Sequence, residues 1–328
     1  MYKKPYSIHP VNMSLRTLPH RLGLLLGLIV FSASCVVTIG ASRNPITAPS
    51  QNADAGLQIL FADSFGAVLR TDMTSAQLTI VAAGQRLVQP FGIATGHKGE
   101  VYVSDTGAYA IFRIDPTTGA QNIISSGGIL GVPFGIAVEQ TGNILVVNGQ
   151  ALLRIDPRAG LQRVVSSQGF FAAPLGVAVA VNGDILVVDA YRKIIQVNSQ
   201  TGAQRLISQD GLLKTPQGIA INGGNVYVTD VATPDGNFGI GRIIRVDLST
   251  GTQTILSEGG YLVGPVGIAV APNGEIIVGD PYTINLESVN LFDGGIVGID
   301  PLSGVQSLLA RGQGNFVNPR GVALIPSR

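Results

Sequence analysis

Six copies of the motif Pro-x-Gly-[Ile/Val]-Ala begin at Pro90, Pro133, Pro174, Pro216, Pro265 and Pro319, and they predict an all-β fold, a six-bladed β-propeller of four-stranded blades. Their spacings of 43, 41, 42, 49 and 54 residues match the length of one such blade. Composition agrees with this class. The 43 Gly and 18 Pro indicate many turns, a 45% hydrophobic content supplies a core, and no sustained helical period follows residue 42.

The chain opens on a different kind of segment. Residues 1–42 carry Lys3, Lys4, Arg16 and Arg21 and no acid, and an uncharged run from Leu22 to Ser42 (LGLLLGLIVFSASCVVTIGAS) follows. A basic lead before an apolar run is the pattern of an export signal, and small residues near its end suit a signal peptidase. The run is also long enough to cross a bilayer uncut, with the basic flank inside. Cys35, the single cysteine, sits in Ser-Ala-Ser-Cys, which resembles a bacterial lipobox with Ser where a bulky aliphatic is usual. We therefore read 1–41 as a signal peptide or N-terminal membrane anchor, and 42–56 as a linker. The destination is extracytoplasmic: secreted, periplasmic or held on the outer side of a membrane. The remainder holds 17 basic and 20 acidic residues with no basic stripe, which excludes a nucleic-acid partner. It has no Cys and so relies on no disulfide.

The body at 133–165 defines the repeat. Gly135–Val138 is a first strand, Thr141-Gly142-Asn143 a turn, and Ile144–Val147 a second strand. The unbroken apolar run of that second strand suits one covered on both faces. Leu152–Ile155 and Gln162–Val165 complete the blade. Between the last two lies Asp156-Pro157-Arg158-Ala159-Gly160, where Pro presets the turn, Asp bonds back to the backbone and Gly accepts a positive φ. The device returns at 115–119, 198–202, 247–251 and 300–304.

Six heads leave room for only five whole bodies. Residues 57–88 supply a second strand ending at Asp63, a third around 67–71 and a fourth around 77–81, but no head. The segment NPRGVALIPSR at 318–328 is a head without a body. Joined, they make a blade from both ends of the propeller at 57–328, which leaves few free sheet edges.

Pro-x-Gly-Ile-Ala-Val, then Gly-[Asn/Asp]-Ile-Leu-Val-Val-Asp, then Arg-Ile-x-x-[Val/Ile]-Asp resembles the NHL-repeat family, and is similar to the wider propellers of the SMP-30/gluconolactonase and strictosidine synthase-like groups. The resemblance covers the chain after the linker. It implies architecture more than chemistry.

Antiparallel order puts the start of each first strand and the end of each second strand on one face, at the mouth of the central channel. Two rim series follow. The second strands end in Asp63, Asp105, Asn148, Asp189, Asp230 and Asp280, a set that would attract Ca2+ or Mg2+ or else bond to nearby backbone N–H groups. After the head prolines come Phe91, Phe134, Leu175, Gln217, Val266 and Arg320. In SMP-30-like lactonases the matching slot carries, in certain blades, an Asn that helps hold the cation. No copy here has it, so the resemblance fails there residue by residue. A partly apolar mouth with one Arg and one Gln suits a ligand with an apolar part and a polar handle. The two longest loops, 231–241 and 281–296, project from the same face with Phe238, Tyr282 and Phe292.

Catalytic motifs are lacking. There is no Gly-x-Ser-x-Gly, no Cys-x-x-Cys and no His pair at metal spacing, and His97 lies in a turn on the far face. The reading is thus an exported, monomeric recognition module for a protein, peptide or glycan, with no catalytic residue assigned. The alternative is a Ca2+- or Mg2+-assisted hydrolase or lyase using the Asp ring.

Overall fold

A computed structural model describes residues 46–47, 56–72, 76–232, 240–283, 294–312 and 317–326. Among these there is no helix, and the strands form six sheets, each with four antiparallel strands. Blade 2, the first made from contiguous sequence, runs Pro90–Thr95, Val101–Asp105, Ala110–Ile114, Gln121–Ser126 from channel to rim. Blade 3 is Pro133–Val138, Ile144–Asn148, Ala151–Ile155, Gln162–Ser167, and blade 4 is Pro174–Val179, Ile185–Asp189, Lys193–Val197, Gln204–Gln209. Blade 5 is Pro216–Asn222, Asn225–Ala232, Ile240–Asp247, Gln253–Glu258. Blade 6 is Gly267–Val270, Ile276–Asp280, Gly295–Ile299, Gln306–Arg311. Blade 1 takes Leu57–Asp63, Ala67–Asp72 and Thr79–Ala83 from the start of the propeller and its inner strand, Pro319–Pro326, from the end. Leu57 lies opposite Pro326 and Asp63 opposite Pro319, so the ring closes as the headless and bodiless segments require.

Within the stretch read as a linker, Ile46–Thr47 pairs in parallel with Gln306 and Ser307 at the rim of blade 6. Two residues carry too little pattern to announce a strand in sequence.

The unbroken apolar second strands are explained by what covers them. In a strand successive side chains point to opposite faces. Ile144 and Val146 enter the core shared with blade 2, while Leu145 and Val147 enter the core shared with blade 4. One such core fills each of the six seams. The hairpins form as expected. Asp115 Oδ1 accepts the N–H groups of Thr117 and Thr118 at 2.8 and 2.9 Å, and Gly119 takes φ +73°. In the same turn of blade 5, bonds from Ser249 and Thr250 hold the Asp247 carboxyl down at about 2.

The head glycines serve close approach rather than turn geometry. A Cβ on Gly92 would stand 2.8 Å from the Phe134 carbonyl oxygen, one on Gly176 2.9 Å from that of Gln217, and one on Gly321 2.7 Å from that of Phe91. Gly135, Gly218 and Gly267 lie nearer still to the next inner strand. Inner strands therefore pack backbone to backbone around the channel, and only a residue without Cβ fits. Ser104 and Thr229 stitch the same seams: Thr229 Oγ1 accepts from Gly218 N at 2.7 Å and donates to Val266 O at 2.8 Å.

A second device joins the rims. Gln162 Oε1 accepts from Ile129 N at 2.9 Å, and its Nε2 donates to Ser125 Oγ at 2.8 Å and Gly127 O at 3.0 Å. Ser125 in turn donates to Gly160 O. The pairs Gln204–Ser166, Gln253–Ser208 and Gln306–Ser257 repeat it. At the seam of blades 1 and 2 the Ser slot holds Ala82, and the buried Gln121 Nε2 has no partner among the described residues. Ala82→Ser completes this staple, and we expect it to add about 1 kcal/mol, a typical net hydrogen bond. Equilibrium denaturation checks it; an unchanged or lowered midpoint would refute the assignment.

Candidate functional site at the channel mouth

The residues that follow the head prolines do come together. Phe91, Leu175, Gln217, Val266 and Arg320 line the central channel with the glycines and branched residues of the inner strands. Phe134 meets Phe91 edge to face, with ring centres 5.3 Å apart and planes at 86°, a favoured aromatic geometry. The space they enclose is about 60 Å³. That is room for roughly two waters, well short of the ~300 Å³ at which small-molecule pockets begin. The inner strands are too close for a bowl, because the glycine contacts draw them together. The series thus forms a half-buried floor, not a ligand cavity. Tyr282 is half-buried beside Gly264, whereas Phe238 and Phe292 lie outside the described residues.

The second series has another role. Asp63, Asp105, Asp189, Asp230 and Asp280 are buried at the level of the head prolines. None of them lines the channel. Asp105 accepts from Val88 N, Gln89 N, Gly107 N and Ala108 N at 2.8–2.9 Å. Asp189 likewise binds Ala172 N, Ala173 N and Tyr191 N, and Asp63 binds Phe65 N and Asn318 N. Each ties the segment entering a head to the turn after the second strand. Asn148 keeps the link with an amide, accepting from Gly131 N at 2.7 Å and donating to Ile129 O at 3.0 Å. Asp230 adds a buried ion pair with Arg242. Their lone pairs are spent on backbone donors, and no three His, Cys, Asp or Glu side chains among the described residues are grouped to hold a metal. The expectation of a Ca2+ or Mg2+ ring finds no support here, for this physical reason.

Burial has one electrostatic consequence. It pushes Asp280 up to about 6, against the pull of the Val263, Tyr282 and Gly264 N–H groups and of Arg320. Asp63 is raised by the same cause. A group raised in the folded state binds protons more tightly there than when unfolded, so stability falls as pH rises from about 4 to about 6. We expect Asp280→Asn, which copies the amide at Asn148, to fold and to flatten that slope in denaturant titrations at pH 4–7. An unaltered slope would show that Asp280 is not its source.

Sequence reading missed what stands above the floor. The connections from outer to next inner strand, and from second to third strand, share the mouth face. On them Phe65, Val88, Tyr109 and Tyr191 are 66, 58, 54 and 65% exposed, and Ile129, Val132 and Phe170 stand out as well. They belong to the turns and entry segments of blades 1 to 4. Tyr109 holds φ +53°, the backbone position that Gly66 occupies in blade 1. That left-handed conformation costs a non-glycine residue of order 1 kcal/mol. The signal was present in sequence as aromatic and aliphatic residues inside turns, in Asp-Ser-Phe-Gly, Thr-Gly-Ala-Tyr and Asp-Ala-Tyr-Arg.

No family model and no curated protein matches the chain. Among solved structures it is similar to a chain of the nidogen/laminin complex, with TM-score 0.66 and 18% identity over 82% of this chain and 98% of that one. At that identity the likeness is one of fold: both are propellers.

Proposed function

We propose that this chain is an exported NHL-like propeller that recognises a protein partner through the mouth face of blades 1 to 4. The observation that carries the reading is that seven of the fourteen exposed large apolar side chains among the described residues stand on that face. Apolar side chains clustered on one surface mark interaction sites, whereas scattered ones need no account. Tyrosine and phenylalanine are the side chains that anchor protein interfaces. Tyr109, displayed at a backbone cost where glycine would sit freely, supports the same face. The floor beneath is shallow, which suits a broad protein surface better than a small molecule. The neighbouring propeller was itself solved in a complex of two proteins, nidogen and laminin. The acid-free, basic-led apolar segment at the N-terminus supports export.

The test places a photo-cross-linking amino acid at Tyr109 or Tyr191, and, as controls, at Val181 or Leu302 in turns of the opposite face. Illumination of producing cells should yield discrete higher-mass adducts from the first pair and none from the second. Equal labelling of both faces, or none of either, would overturn the proposal.

A further inference from the structure

The face opposite the mouth carries a groove between blades 2 and 3, of about 480 Å³. It is several times larger than the channel space, and the channel-mouth reading makes no use of it. Its walls are turns of blades 2 and 3, which differ in how they treat a third-strand arginine. In blade 3 the third-strand Arg154 is neutralised by Glu139, with Nε–Oε2 at 2.7 Å and Nη2–Oε1 at 2.6 Å, and it also donates to Ser199 O of the next hairpin. The equivalent arginine of blade 2 is Arg113, opposite Tyr102 as Arg154 is opposite Leu145. The place of Glu139 is taken by Gly96, which makes the same turn bond to the residue four further on. No side chain springs from that position, where a Cβ would meet the Glu100 carboxylate at 2.6 Å, and Arg113 has no ion-pair partner among the described residues.

The other walls repeat this imbalance. Lys98 and Arg158 also line the groove, and no ion pair among the described residues engages either. The two acids beside them are occupied. Glu100 accepts from Lys98 N at 3.0 Å, and Asp156 accepts from Arg158 N and Ala159 N at 2.8 and 3.3 Å. Those backbone bonds hold the Asp156 carboxyl below its ordinary value, so it stays ionised, hydrogen-bonded within its own turn. His97 sits at the edge with Nε2 3.3 Å from Glu139 O. Neutral hydrogen-bonding groups complete the lining, from Tyr102, Gln140, Thr141 and Asn143.

We propose that this groove binds a small hydrophilic anion, a polyhydroxylated molecule bearing a carboxylate or a phosphate. Arg113 and Arg158 present planar donor forks suited to either oxyanion. Lys98 adds a point charge, and the amide and hydroxyl groups address the hydroxyls. The volume lies in the range of small-molecule sites.

Isothermal titration of the whole propeller at low salt tests this with four probes: glucuronate, glucose 6-phosphate, inorganic phosphate and glucose. We expect binding of glucuronate or glucose 6-phosphate, whichever carries the preferred handle, and none of glucose. Arg113→Gln and Arg158→Gln should each weaken it about tenfold, the worth of a charge-assisted hydrogen bond. Binding of neither charged sugar at 10 mM or so, equal binding of glucose, or affinity indifferent to both substitutions would overturn the proposal. Inorganic phosphate bound as tightly as glucose 6-phosphate would equally overturn the part assigned to hydroxyls.

Discussion

Removal of residues 319–328 should leave a chain without a cooperative melting transition. The deletion takes away the inner strand of blade 1, with buried Val322, Ala323 and Ile325 and the ladder that pairs it from Leu57 to Asp63. Each buried branched side chain is worth about 1.5–3 kcal/mol, and each ladder bond about 1 kcal/mol. Together these approach the whole stability of a domain, about 5–15 kcal/mol. The damage spreads beyond one sheet, because Gly267 packs on the Arg320 carbonyl and Gly321 on that of Phe91, so two seams open at once. Circular dichroism melting reads the outcome, and a synthetic peptide of residues 317–328 should restore the transition. A truncated protein that still melts sharply would mean the ring does not depend on its closing strand.

The second large effect concerns Asp230 and Arg242, which face each other across the second and third strands of blade 5. Asp230 is fully buried, and its Oδ1 also accepts from Lys214 N and Thr215 N at 2.8 Å each. Asp230→Ala strands a buried guanidinium and two backbone donors, and we expect a loss of about 3–5 kcal/mol. The other blades show that this position does not need the pair. Across from Asp105 stands Ala110, from Asp280 Gly295, and from Asn148 Ala151. The double variant Asp230→Asn/Arg242→Ala imports the blade 3 solution and should recover most of the loss, since it leaves no charge unpaired. Arg242 Nε is buried without a partner among the described residues, so the native pair is itself imperfectly repaid. Denaturant midpoints of the single and double variants decide it: a double variant as unstable as Asp230→Ala would refute the exchange.

Architecture was legible because its cues are local. Head prolines, Asp-Pro hairpins and unbroken apolar second strands each name a strand or turn, and their period names the blade. The strand ending at Asp63 and the hairpin at Asp115–Gly119 lie where sequence places them. The fourth strand of blade 1 starts at Thr79 rather than near Gln77. The site was legible in part. Sequence order sets the level of Asp105 and its equivalents but not the direction in which they point, and the structure turns them into backbone ties. Channel width depends on how near one inner strand lies to the next, a distance no motif states. The Gly-x-Gln that precedes each rim staple recurs five times, at Gln121, Gln162, Gln204, Gln253 and Gln306. It acquires meaning once Ser125 and its counterparts are seen across the seam. His97, read as a plain loop residue, borders the groove between blades 2 and 3.

Closure by the final strand also sets a schedule for biogenesis. Residue 57 cannot acquire its inner neighbour until residue 326 has been made, so every earlier stage of synthesis leaves a split annulus. Contacts between segments so remote in sequence form slowly. A polypeptide that stays unsealed until its last strand is made takes its final form only once the whole propeller has been synthesised.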